Sequence, residues 1–188
     1  VDMQGAMVLP CFTDMHTHLD KGHVWPRAAN PDGTFMGALE AVRADHAHWT
    51  ADDVRTRMAF SLRCAFAHGT KAIRTHLDSM DGQHAISWDV FAELRDAWAG
   101  RIALQAVSLI SCDAWDTPVY RPVADQVARH GGVLGMVTYP VPDLAERLRG
   151  HVATAASLGL DLDFHTDETM DASSETLRAI AQAVLDTG

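Results

Sequence analysis

Short apolar runs and amphipathic stretches alternate five times along this chain, and that alternation limits its fold more than any other feature of the sequence. The apolar runs cover residues 7–12 (leading into Thr13, Asp14, Met15 and His16), 71–76, 102–110, 133–139 and 160–164. Each reads as a buried strand. Helical spacing fills the intervals at residues 35–47, 86–98, 123–130, 143–158 and 173–185. A further helix starts after Thr50, an N-cap type with Asp52 and Asp53 in the first turn. It puts Val54, Met58, Leu62, Ala65 and Phe66 on one face and stops at Gly69. The last helix has Ser173 or Ser174 as its candidate cap. Residues 21–32, with two prolines and an expected turn at residues 30–33, read as a long loop.

Strand and helix in regular alternation predict a parallel sheet with helices outside it. Two architectures fit: a doubly wound open sheet and a (β/α)8 TIM-type barrel. No GxGxxG or phosphate-loop sequence follows any expected strand. The residues able to do chemistry lie at the C-terminal ends of strands, where both architectures build their sites. The ligand pattern below favours the barrel. A whole barrel needs about 250 residues, so the 188 residues here read as a fragment holding about the first five β/α units. An open part-barrel would also leave unpaired sheet edges.

Composition removes several function classes. The formal net charge of -10 disfavours a nucleic-acid partner, which needs a basic surface. No apolar run approaches the roughly 18 residues of a membrane span, and no secretory leader is evident. Cys11, Cys64 and Cys112 are widely spaced and form no CxxC pair, as expected of thiols in a reducing, cytoplasmic setting. The histidine count is the unusual one, eleven in all.

His16 and His18 are two apart at a strand end, so both imidazoles point to one side and can share a metal ion. Asp14 has the same parity and can hold a ligand from behind or shape the turn. His165 ends the fifth apolar run and could supply a third nitrogen, with Glu168 three residues on, within reach of a metal-activated water. Asp167 and Glu168 could instead serve the dipole of the following helix. His76 and Asp78, at the end of the second strand, are expected to line the substrate pocket or support the ligands. Residues 132–140 hold no lysine of the kind that bridges two metals when carboxylated, which points to one metal. Lys21, His23, Trp25 and Arg27 form a basic and aromatic loop that either covers a polar ring or an anionic group or serves only as a connection. His46, His48, His68, His130 and His151 are expected at helix surfaces or helix ends.

With these residues assembled, the chain resembles the amidohydrolase superfamily, and within it the cytosine deaminase-like group. The matching segments are residues 9–20 (LPCFTDMHTHLD), 74–78 (RTHLD) and 165–168 (HTDE). The resemblance implies a barrel with one divalent metal, iron or zinc, held by His16, His18 and His165, with Glu168 as proton carrier. It implies hydrolysis of a carbon–nitrogen bond other than a peptide bond, such as deamination of cytosine or another nitrogen heterocycle. A cyclic amide, a lactone and an N-substituted triazine remain alternatives, as does a non-catalytic metal-binding domain. The partner expected is a small-molecule substrate, and homo-oligomerisation stays open. Residues 1–7 are the candidate remnant of a flanking β-sandwich, and the family's later metal-binding aspartate and further histidine would lie beyond Gly188. The glutamine that cytosine deaminases carry after the third strand has no counterpart among residues 108–112, where Ser111 stands; Gln105 lies too early. The ring recognised is therefore not expected to be restricted to cytosine. The zinc-dependent cytidine deaminase fold is set aside, since its His-x-Glu and Pro-Cys-x-x-Cys motifs are missing.

Overall fold

The computed structural model describes residues 2–30, 32–80 and 82–187. Val1, Pro31, Asp81 and Gly188 lie outside the described residues, and with them the first residue of the candidate sandwich remnant and the second residue of the expected turn at residues 30–33. The described elements run β1 (Phe12–Thr17), α1 (Phe35–Asp45), α2 (Ala51–Ala67), β2 (Thr70–Asp78), α3 (Gln83–Ala97), β3 (Ala103–Leu109), α4 (Tyr120–His130), β4 (Leu134–Val137), α5 (Leu144–Leu158), β5 (Leu162–His165) and α6 (Thr176–Thr187). Every strand pairing is parallel. The five expected strand–helix units are therefore present.

The strands run in chain order, β1-β2-β3 and β4-β5, with bridges Val107↔Val133 and Ser111↔Val137 joining the two groups. Between these bridges the Ser108 hydroxyl stands in for ladder bonds. It accepts the Gly135 N–H at 2.9 Å and donates to the Gly135 carbonyl at 3.2 Å. The backbones come so close there that a Cβ on Gly135 would collide with the Ser108 carbonyl oxygen.

Barrel curvature follows from distances across the sheet. Neighbouring strands are about 4.8 Å apart, so β1 and β5 of a flat sheet would be separated by roughly 19 Å. Yet the His16 ring on β1 and the His165 ring on β5 have centroids 4.7 Å apart. The sheet curls until its two ends face each other, which an open doubly wound sheet does not do. The helices pack outside the curl on a core that includes Met58, Leu62, Leu77, Trp88, Phe91, Ile102, Leu134 and Leu148. Thr50 caps α2 by accepting the Asp53 N–H, and Gly69, at φ +87°, turns the chain out of that helix into β2.

Three local expectations are corrected. The apolar run at residues 7–12 is not a buried strand: β1 begins at Phe12, and Met7, Val8 and Leu9 are exposed. A strand needs a neighbour, and β2 meets β1 first at Phe12↔Thr70. The N-terminus of α6 is not capped by Ser173 or Ser174. The Asp167 carboxylate, reaching from the loop after β5, accepts the N–H groups of Thr176 and Leu177 at 2.8 and 3.1 Å.

His151 is the third correction. It is fully buried, on the inner stripe of α5 with Leu144, Leu148, Val152 and Ala155, and its Nδ1 pairs with the Tyr120 hydroxyl at 2.7 Å. Burial pushes this imidazole down from 6.5 to about 4. Between those values an unfolded chain takes up a proton that the folded one refuses, so this contribution is intact above pH 6.5 and is lost as pH falls. At pH 5 the loss amounts to about 2 kcal/mol. In the full-length protein, His151→Gln should therefore show a shallower drop in unfolding free energy from pH 7 to pH 5 than the unaltered protein; equal slopes would reject this assignment.

A candidate metal centre at the strand ends

His16 and His18 stand at the C-terminal end of β1, His76 near the end of β2, and His165 is the last residue of β5. One ring nitrogen from each lies within 4.8 Å of the corresponding atom in the other three. Two nitrogens on opposite sides of one ion, each about 2.1 Å from it, lie about 4 Å apart. Small side-chain adjustments thus bring the set to ligand distance. The cluster is graded in depth: His76 and His165 are buried, His18 is partly buried and His16 is exposed, so it opens on the His16 side.

The ring contacts leave nitrogen lone pairs for a cation. His18 Nδ1 lies 3.2 Å from the His76 carbonyl oxygen, an acceptor, so it carries the proton and leaves Nε2 free. His76 Nδ1 and His165 Nε2 are buried with no hydrogen-bond partner among the described residues. Orphaned buried nitrogens are costly without a ligand, and two in one four-histidine cluster fit a bound metal. Burial, then the charges of Lys21, His76 and His165, push the His18 imidazole down to about 3. Burial, then His76 and His16, push His165 down to about 4. Both rings are therefore neutral near pH 7, the protonation state in which imidazole binds metal.

The other expected residues divide by surroundings. Asp14 is exposed and accepts the His16 N–H at 3.2 Å, shaping the irregular end of β1. Asp78 joins Lys21 at 2.8 Å and His46 at 3.4 Å. Burial alone would raise the Asp78 carboxyl, but the His46 and Lys21 contacts outweigh it and hold the group below its usual range. Glu168 is exposed on the loop three residues past His165, and among the described residues its side chain makes no hydrogen bond. Ser111 is engaged locally: its hydroxyl meets Tyr139 Oη at 2.7 Å and accepts the Asp113 N–H. Arg27 ties its loop down through two-pronged pairs with Asp45 and Asp53, while Trp25 stays exposed.

One buried carboxylate, one partly buried carboxylate and one histidine have functional contacts that local sequence does not reveal. Asp20 is fully buried and accepts from the Asp78 N–H and the Ser87 hydroxyl; burial and then the Asp78 charge push its carboxyl up. Asp163 accepts from His76 Nε2 at 3.2 Å and from Arg74 at 3.1 Å. His46, expected at a helix surface, faces Asp78 instead. Parity was the available signal for Asp163, which lies two residues before His165 on β5.

No family model matches the chain. The chain is 56% identical over 189 residues to a pterin deaminase of Rhizobium rhizogenes, an alignment covering 100% of this chain and 43% of that relative. Its fold matches 5-methylcytosine deaminase from Klebsiella pneumoniae liganded with phosphonocytosine, with a TM-score of 0.78 at 23% identity, over 95% of this chain and 45% of that one. It also matches N-isopropylammelide isopropylaminohydrolase from Burkholderia multivorans, with a TM-score of 0.71 at 24% identity, over 95% of this chain and 46% of that one. The chain thus spans less than half the length of each of these proteins, and the expected part-barrel fold and family resemblance both hold.

Proposed function

We propose that this chain forms part of the catalytic barrel of an amidohydrolase-superfamily aminohydrolase that removes an exocyclic amino group from a nitrogen heterocycle, a reading supported by the 56% identical relative and by the matching fold. A pterin is the substrate class put first, on the strength of the 56% identical relative. The observation that carries the reading is the convergence of His16, His18 and His165 on one point at the strand ends, with free ring nitrogens facing one another.

In this reading those three histidines hold one divalent ion, iron or zinc. The bound ion would supply a water acidic enough to be deprotonated near neutral pH. The chain's own residues do the rest. Glu168, uncommitted to any other group, carries a proton to the ring nitrogen beside the reacting carbon and then to the departing ammonia. Asp78, kept ionised by Lys21 and His46, offers an acceptor for a ring N–H at the pocket wall. Ser111 and Tyr139 border the same mouth from β3 and β4. Among the described residues no helix is long and apolar enough to cross a membrane. The unpaired thiols agree with a reducing, cytoplasmic setting.

The test uses the full-length protein, loaded with iron or zinc and assayed for ammonia release from pterin, cytosine, isocytosine, creatinine and N-substituted triazines. One equivalent of ammonia from a pterin is the expected outcome. Absence of bound metal, or of turnover on every heterocycle in both metal forms, would overturn the reading.

A further inference from the structure

We propose that Asp163 is a positioning residue for the metal centre: it fixes the His76 ring so that Nδ1 faces the other three histidines and makes His76 a fourth nitrogen ligand. This rests on the metal reading above and assigns His76 and Asp163 roles beyond it.

The proton inventory makes the first link. An ionised carboxylate only accepts hydrogen bonds, so the contact of 3.2 Å between His76 Nε2 and Asp163 Oδ1 needs the proton on Nε2. With that proton on Nε2, the atom left to face a cation is Nδ1, which is buried and has no hydrogen-bond partner among the described residues. The placement of the ring makes the second. His76 is 1% exposed, and its centroid lies 4.3 Å from that of His16 and 4.7 Å from that of His165. The same residue also serves His18, whose Nδ1 donates to the His76 carbonyl.

Asp163 is itself held. Arg74 donates to its other oxygen at 3.1 Å, and Gln105 accepts from Arg74 Nε at 2.7 Å. A chain of polar contacts thus runs from β3 through β2 to β5 beside the histidines. Barrel interiors are ordinarily filled with branched apolar side chains, and a partly buried ion pair is weak evidence for stability. Fixing the orientation of a metal-binding imidazole accounts for this layer, because carboxylates behind such histidines set the tautomer and raise ligand basicity.

The experiment strips the full-length protein of metal with a chelator, then measures Zn²⁺ affinity by chelator competition and records the Co²⁺ absorption spectrum. The unaltered protein is compared with Asp163→Asn, a near-isosteric change, and with His76→Gln. Expected is a loss of about 10–100-fold in affinity in each variant, with both Co²⁺ spectra shifted from that of the unaltered protein. Near-normal affinity and an unchanged spectrum in either variant overturn the inference while leaving the metal reading intact. If the unaltered protein binds no metal, the reading under Proposed function fails as well. Circular dichroism of each variant separates lost folding from lost affinity, and Arg74→Gln, which loosens Asp163 without touching the ring, provides a milder second measure: an affinity intermediate between the two is expected, and one equal to the unaltered protein's counts against the relay.

Discussion

Replacing His165 with alanine in the full-length protein is expected to abolish stoichiometric metal binding and to lower kcat/KM by about a thousandfold or more. The magnitude follows from losing several kcal/mol of metal-derived stabilisation of the transition state, at about 1.4 kcal/mol per tenfold change in rate. His165 is the most telling of the three expected ligands to remove. It is buried, its ring lies 4.7 Å from both His16 and His76, and its Nε2 has no hydrogen-bond partner among the described residues. Elemental analysis and an ammonia-release assay read the two effects separately. A variant that keeps one metal per chain and turns over normally would remove His165 from the centre.

The second large effect is expected at Glu168. Its change to glutamine keeps size and hydrogen-bonding capacity but removes the ability to carry a proton. A fall in kcat of about 10²–10⁴-fold is expected, typical of a lost general acid–base, with metal content and unfolding temperature unchanged. The structure explains why stability should be spared: Glu168 is exposed and bonds to nothing else among the described residues. Its neighbour Asp167 could not be changed so cleanly. That residue sits at φ +54°, and the Ser174 hydroxyl, the Leu177 N–H and Thr176 together hold its carboxyl well below the usual range. Unchanged kcat in Glu168→Gln would assign the proton transfer to another group.

The sequence made the strand ends legible because chemistry and periodicity coincide there. An apolar run marks which residues face the core, and a histidine two residues from another inherits its direction; on that basis His16, His18 and His165 are legible at strand ends from sequence. Of the alternatives for residues 167–168, the helix-terminus role is seen at Asp167, which caps α6. What stayed hidden depends on partners distant in sequence. His76 looked like a pocket residue because nothing local reveals Asp163, which reaches it only through the curl of the sheet. His151 looked like a surface residue because imidazole is polar, although its position on the inner stripe of α5 was already encoded by spacing. The first apolar run misled for a related reason: hydrophobicity at residues 7–9 says nothing about whether a strand lies alongside, and β2 begins too late to provide one.

The hydrogen bond between His76 and Asp163 closes a gap of 87 residues, and this has a consequence for the order in which the histidine cluster assembles. A ribosome adds about 5–20 residues per second, so the imidazoles of β1 and β2 emerge on the order of ten seconds before β5 is made. During that interval the nascent chain holds only unlocked side chains. An ion bound by these histidines would therefore meet the complete cluster only after synthesis has passed His165.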